Sequence, residues 1–237
     1  MDDIRRYRGL LVSPCTYYHI FEKQPESHIL CVILYGHLRS YSYSLPITLK
    51  YLKTQFKEIH FFVHTWNTLD IGDSPPIFSD GLCSLLQAFG TVVAIRVDRQ
   101  LPSNSLISPL SYMYYSMWSS NMLKRKHENN CMIRYSRCLK IRPDILFDPE
   151  PIQCLPNDGD FYFQGKSHLM SDICALTSSH EMDRICNFLM NVPSNHDSEK
   201  LLKLYFNYLV NDLSLAAAPF KYGRDWSIIK SLRKKND

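Results

Sequence analysis

The chain has 237 residues, 45% hydrophobic and 21% charged, which excludes disordered and fibrous architectures and suits one large domain. Its formal charge of +4 is spread along the chain apart from Arg5, Arg6 and Arg8 near the start and Arg233, Lys234 and Lys235 near the end, a modest bias toward anionic ligands and no nucleic-acid footprint. Eight cysteines form no C-x-x-C pair and several sit in apolar runs, so they read as reduced core thiols.

Residues 1–27 are polar and mixed, and read as an arm leading into the fold. They lack the pattern of a signal peptide, and no segment approaches ~18 apolar residues, so the expectation is a soluble, cytoplasmic protein without a membrane span. The fold proper is expected from residue 28, where HILCVILYG is a continuous aliphatic run of the kind buried on both faces of a parallel sheet. Residues 38–56 carry Leu45, Leu49, Leu52 and Phe56 at helical spacing, with Pro46 near the start, and a second strand follows at 59–64. Strand, helix, strand in this compass is a βαβ unit and sets the class as α/β.

Residues 70–79 form a loop, 81–89 a short helix, 91–97 a third strand and 101–108 another loop. The long helix predicted over 109–128 holds Tyr112, Tyr115 and Trp118, read as core, and Lys124, Arg125 and Lys126, read as a solvated basic last turn. A fourth strand at 135–142 breaks at Pro143-Asp144 before 145–147, and the turn Asn157-Asp158-Gly159-Asp160 precedes a strand at 161–164. Helices are predicted at 179–190, capped by Ser179, and at 199–211, capped by Asp197 or Ser198. Residues 226–237 read as a basic tail, leaving 28–225 as a single domain.

Motifs for a Rossmann pyrophosphate turn, a P-loop, a zinc protease and a nucleophile elbow are absent, and His60 with His64 lacks a nameable third metal ligand. What stands out is polar chemistry where buried strands end, the place at which parallel sheets bind ligands. Gly36, His37 and Arg39 follow the first strand; His64, Thr65, Trp66 and Asn67 the second; Arg142 and Asp144 the fourth. A glycine for close approach, guanidiniums for phosphate, an aromatic face and a carboxylate together suit a nucleoside diphosphate.

The strings LYGHLRS, FFVHTWN and YSRCLKIRPDILFDP, followed by MSDICALTSSHEMDRICNFL and HDSEKLLKLYFNYL, resemble the GT-A-like glycosyltransferases, in particular a viral and bacterial group reading G-x-x-R, H-T-W and R-P-D at these places. The resemblance implies a Rossmann-type, mostly parallel sheet flanked by helices. It also implies a nucleotide-sugar donor bound by Tyr35, Gly36, Arg39, His64, Thr65, Trp66, Arg142 and Asp144, and transfer of its sugar to an acceptor hydroxyl of a glycan, glycolipid or glycoprotein. Such enzymes hold Mn²⁺ or Mg²⁺ with a D-x-D pair. Here that position reads Arg142-Pro143-Asp144, a degenerate form leaving Asp144 as the metal ligand. The literal Asp158-Gly159-Asp160 sits in a turn instead. Asp172 and Glu199 are the candidate catalytic bases for the acceptor hydroxyl, with no choice between them. The competing readings are a catalytically inactive scaffold of the same fold, motivated by the missing carboxylate, and a basic nucleic-acid-binding protein. Donor sugar, nucleotide base, stereochemical course and oligomeric state stay open.

Overall fold

The apolar run that opens the fold becomes β1 (Pro25–Tyr35), beginning three residues before the expected start at 28. The computed structural model describes residues 25–68, 79–100, 109–147, 162–163, 174–191 and 226–228. In chain order there follow α1 (Tyr41–Gln55), β2 (Glu58–Trp66), α2 (Ser79–Gln87), β3 (Thr91–Asp98), α3 (Pro109–Cys131), β4 (Arg134–Ile141), β5 (Ile145–Phe147), β6 (Tyr162–Phe163), β7 (Cys174–Thr177), α4 (Ser179–Asn191) and β8 (Trp226–Ile228).

Six strands make one sheet in the order β3-β2-β1-β4-β7-β6. The first four are parallel, and β7 and β6 are added antiparallel. This is an α/β domain with a mostly parallel sheet flanked by helices. Alternation along β1 divides the core. Ile29, Cys31, Ile33 and Tyr35 face α3 and α4 through Tyr114, Met117, Met182, Ile185 and Leu189. Leu30, Val32 and Leu34 face α1 and α2 through Leu45, Leu49, Leu52, Leu82 and Leu86. A strand covered on both faces has no polar side, which is why β1 reads as an unbroken apolar run.

Several expectations are corrected. The first helix begins at Tyr41, not 38, so Pro46 lies inside it. The second strand runs two residues beyond 64, because Thr65 and Trp66 keep pairing with Val97 and Asp98. Strand β7 has no counterpart in the sequence reading; it is four residues long and wholly buried, so it lacks the alternation that marks a strand in sequence. The N-cap of α4 is Ser178, whose Oγ accepts the Glu181 N–H at 3.4 Å, and Ser179 belongs to the helix. Three residues of the expected tail, Trp226–Ile228, pair with β5 in a second small sheet. The helix expected at 199–211 and the loops at 70–78 and 101–108 lie outside the described residues, as does the arm up to residue 24.

The largest correction concerns Lys124. The helix continues to Cys131, so Lys124 is not in its last turn and is fully buried. Its ammonium donates to Ser179 Oγ at 2.5 Å and to Asp183 Oδ1 at 2.9 Å, and lies 3.6 Å from Glu128 Oε2. Burial opposes the charge on Lys124, but the Asp183 carboxylate, with Glu128 and two neighbouring cysteines adding to it, outweighs burial and keeps the ammonium ionised. Asn121 and Arg134 add donors to Asp183 at 2.9 and 3.4 Å. This network fastens α4 to α3 beneath the sheet. Cys31, Cys138, Cys174 and Cys186 are free and buried, as read from sequence, whereas free Cys131 is exposed. Among the described residues no helix is long and apolar enough to cross a membrane.

Candidate functional site at the carboxyl edge of the sheet

Parallel register brings the sequence-predicted strand ends to one edge. Tyr35 sits beside His64, Trp66 beside Asp98, and Leu34 beside Ile141, one residue before Arg142. Gly36 turns the chain out of β1 with φ of 98°, a left-handed value that favours glycine. Its N–H donates to Ser116 Oγ at 2.7 Å, and its carbonyl accepts from Thr65 Oγ1 at 2.9 Å. Gly36 is buried, and among the described residues a Cβ there would meet no atom within 4 Å. Arg39, three residues on, also has positive φ, 27°, a strained value for a residue with a side chain, just before α1 begins.

Arg39, Arg142 and Asp144 converge. Arg142 Nε donates to Asp144 Oδ1 at 3.0 Å and its Nη2 to Oδ2 at 2.5 Å, a two-pronged guanidinium–carboxylate pair. Arg39 Nη1 reaches the same Oδ2 at 3.3 Å. Asp144 is wholly buried, whereas the side chains of Arg39 and Arg142 are 24% and 18% exposed. From α1, the buried Ser44 hydroxyl donates to the Pro143 carbonyl at 2.6 Å and pins the turn that carries Asp144. The carboxylate therefore lies beneath two cations that reach the surface.

These described residues do not fit a divalent cation. Asp144 offers both its oxygens to guanidiniums, and two positive charges beside it repel a dication. Among the described residues no cluster of three His, Cys, Asp or Glu is placed to hold a metal. The expected ligand Asp144 is thus engaged as an ion-pair partner; Asp158 and Asp160 lie outside the described residues.

The other half of the edge is a hydrogen-bonded network around His64. Asp98 Oδ1 accepts from Arg96 Nε at 2.9 Å, and its Oδ2 accepts from Tyr115 Oη at 3.0 Å and faces His64 Nε2 at 3.2 Å. Hydrogen bonding to Arg96, with His64 and Tyr115 adding to it, holds the Asp98 carboxyl down to about 2. Burial lowers His64 below its ordinary value, so the imidazole is neutral. With a carboxylate at Nε2, the proton is assigned to Nε2, and Nδ1 accepts from the Ser116 hydroxyl at 2.7 Å. Trp66 stacks on Tyr115 with centroids 5.8 Å apart and meets His64 and Tyr112 edge-on. Its indole N–H is buried with no hydrogen-bond partner among the described residues. Nearby, His37 Nε2 donates to Gln100 Oε1 at 2.7 Å, and Thr68 Oγ1 donates to the same oxygen at 2.9 Å.

The predicted residues therefore separate into two depths. Arg39 and Arg142 reach the surface, whereas Gly36 is buried at the turn between them and the strand. Tyr35, His64 and Thr65 are wholly buried, Tyr35 with Lys140 Nζ 5.6 Å from its ring centroid, so they support the edge from inside rather than line it. Asp172 and Glu199 lie outside the described residues. The sequence reading passes over Ser116, Asp98, Arg96 and the Tyr115 hydroxyl. Asp98 carries a signal, since it ends a strand. Ser116 and Ser120 lie four apart in α3; Ser120 donates to the Phe62 carbonyl at 2.6 Å, and the Ser116 hydroxyl also lies 3.1 Å from the His64 carbonyl. Serines at helical spacing do not announce a sheet-facing role.

No family model matches the chain, and no curated protein matches it. Among solved structures, it is similar to a glycosyltransferase involved in the glycosylation of the major capsid of PBCV-1, with TM-score 0.38 and 10% identity over 82% of this chain and 81% of that one. It is also similar to a nucleoside-diphosphate-sugar pyrophosphorylase from Vibrio cholerae RC9, with TM-score 0.38 and 7% identity over 75% of this chain and 87% of that one.

Proposed function

We propose that the protein is a glycosyltransferase that binds the diphosphate of a nucleotide-sugar at the carboxyl edge of its sheet and passes the sugar to an acceptor hydroxyl. The observation that carries this reading is the pair of surface-reaching guanidiniums, Arg39 and Arg142, held on one buried carboxylate at the strand ends. Planar guanidiniums match phosphate oxygens two at a time, and the ends of parallel strands are where such a ligand sits. The orphan indole N–H of Trp66 is a donor suited to an oxygen of the nucleoside.

In this reading the bond between the sugar anomeric carbon and the diphosphate breaks, and the acceptor oxygen forms the new bond to that carbon. Charge grows on the departing diphosphate, and the guanidiniums stabilise it where it develops. The acceptor hydroxyl gives its proton to a carboxylate, for which Asp172 and Glu199 are the proposed candidates. The acceptor is a glycan, glycolipid or glycoprotein.

The test is release of nucleoside diphosphate from a panel of UDP-, GDP- and TDP-sugars with oligosaccharide acceptors. One donor is expected to turn over, and Arg142→Gln to slow it at least tenfold. Absence of turnover and of nucleotide binding across the panel would remove the enzyme reading.

A further inference from the structure

We propose that Arg39, Asp144 and Arg142 form a diphosphate clamp that works without a divalent cation, in which Asp144 is a positioning residue and not a metal ligand. This inference rests on the donor-binding reading above and names how that site takes its anion.

Depth decides which groups an incoming ligand meets. Asp144 is wholly buried and both of its oxygens accept from guanidiniums, whereas the two arginines that hold it are partly exposed. A ligand arriving at the edge meets positive charge first. Displacing the guanidiniums to reach the carboxylate would strand two cations against one incoming dication. Charge favours the same arrangement. A D-x-D pair brings two negative charges and needs a metal to bridge them to a diphosphate. Here Arg142 and Arg39 present two partly exposed guanidiniums on one buried carboxylate, a donor set that suits phosphate oxygens directly.

Preorganisation adds to both. A long arginine side chain loses rotamer freedom when it grips an anion. Here part of that loss is met on folding, because Asp144 holds the Arg142 guanidinium at two points and one Arg39 nitrogen, and Ser44 fixes the turn through the Pro143 carbonyl. The positive φ of Arg39 fits the same picture, a strained backbone kept where it delivers a cation to the edge. The carboxylate orients, the guanidiniums bind.

The test uses inorganic pyrophosphate with the full chain, read by thermal unfolding and titration calorimetry in EDTA and with Mn²⁺ or Mg²⁺, at matched ionic strength. In EDTA, pyrophosphate at a hundred times its dissociation constant is expected to raise the midpoint by about 5–10 °C, with no further rise when the cation is supplied. Arg39→Gln and Arg142→Gln each weaken pyrophosphate at least tenfold. Arg142→Lys, which keeps the charge and loses the fork, weakens it as well. Asp144→Asn weakens pyrophosphate although the substituted side chain would not touch it, measured well below that variant's own midpoint so that lost stability does not enter. If Asp144→Asn does not fold, Asp144→Glu, which keeps the charge and shifts its place, is expected to weaken pyrophosphate in EDTA.

A shift that appears only with the cation overturns the clamp. So does an unchanged affinity in both arginine variants, or a complete absence of shift with any anion. The donor reading fails separately: pyrophosphate binding in EDTA that no nucleoside diphosphate improves upon would keep the clamp and remove the nucleotide.

Discussion

The Ser116 hydroxyl, on α3, accepts the Gly36 N–H at 2.7 Å and donates to His64 Nδ1 at the same distance, so one side chain ties the β1 turn to the β2 strand end. All three residues are buried. Removing the oxygen leaves a backbone donor and an imidazole acceptor without these partners. Ser116→Ala is expected to cost about 1–3 kcal/mol, read from urea unfolding. An unchanged midpoint would mean that the turn is held by other contacts.

Gly36→Ala separates conformation from space. Among the described residues the new methyl meets nothing within 4 Å, but the left-handed φ of 98° disfavours a Cβ. The expected loss is about 1–2 kcal/mol in the same unfolding measurement. A much larger loss would mean that other residues pack against the turn.

Acid should weaken the edge in two steps. His64 is held below its ordinary value of 6.5 by burial, so between that lowered value and 6.5 the unfolded chain binds the extra proton. Its contribution is complete above 6.5 and is lost as pH falls. Asp98 is held at about 2 against 3.8, so its contribution is complete above 3.8 and lost as pH falls toward 2. With the Asp98 side chain 24% exposed, that lower step is worth about 1–2 kcal/mol after solvent screening. Unfolding midpoints followed from pH 7.5 downward should lose the upper step in His64→Gln and the lower in Asp98→Asn.

The buried network under the sheet makes a stability prediction independent of the site. Asp183→Ala leaves the Lys124 ammonium buried with one carboxylate removed, and should cost about 3–5 kcal/mol. Lys126→Ala, on the exposed side of the same helix, should leave the midpoint unchanged. Equal effects in the two variants would contradict the burial of Lys124.

Local pattern alone determined the α/β class, the first four strands within a few residues and the strand-end position of Gly36, Arg39, Trp66, Arg142 and Asp144, because apolar runs and helical periodicity are properties of neighbours in the chain. Burial and partnership were decided only by the tertiary structure. Lys124 and Lys126 belong to the same basic run, yet only Lys124 is buried beside Asp183, 59 residues away. Asp144 shows no ion-pair partner of this kind in its neighbourhood in sequence beyond Arg142, because Arg39, which reaches its Oδ2, lies 105 residues earlier. Strand β7 and the roles of Ser116 and Asp98 were hidden for the same reason. A hydrogen bond or ion pair depends on distance in space, and the register of parallel strands, which sets that distance here, is a long-range choice that no local spacing records.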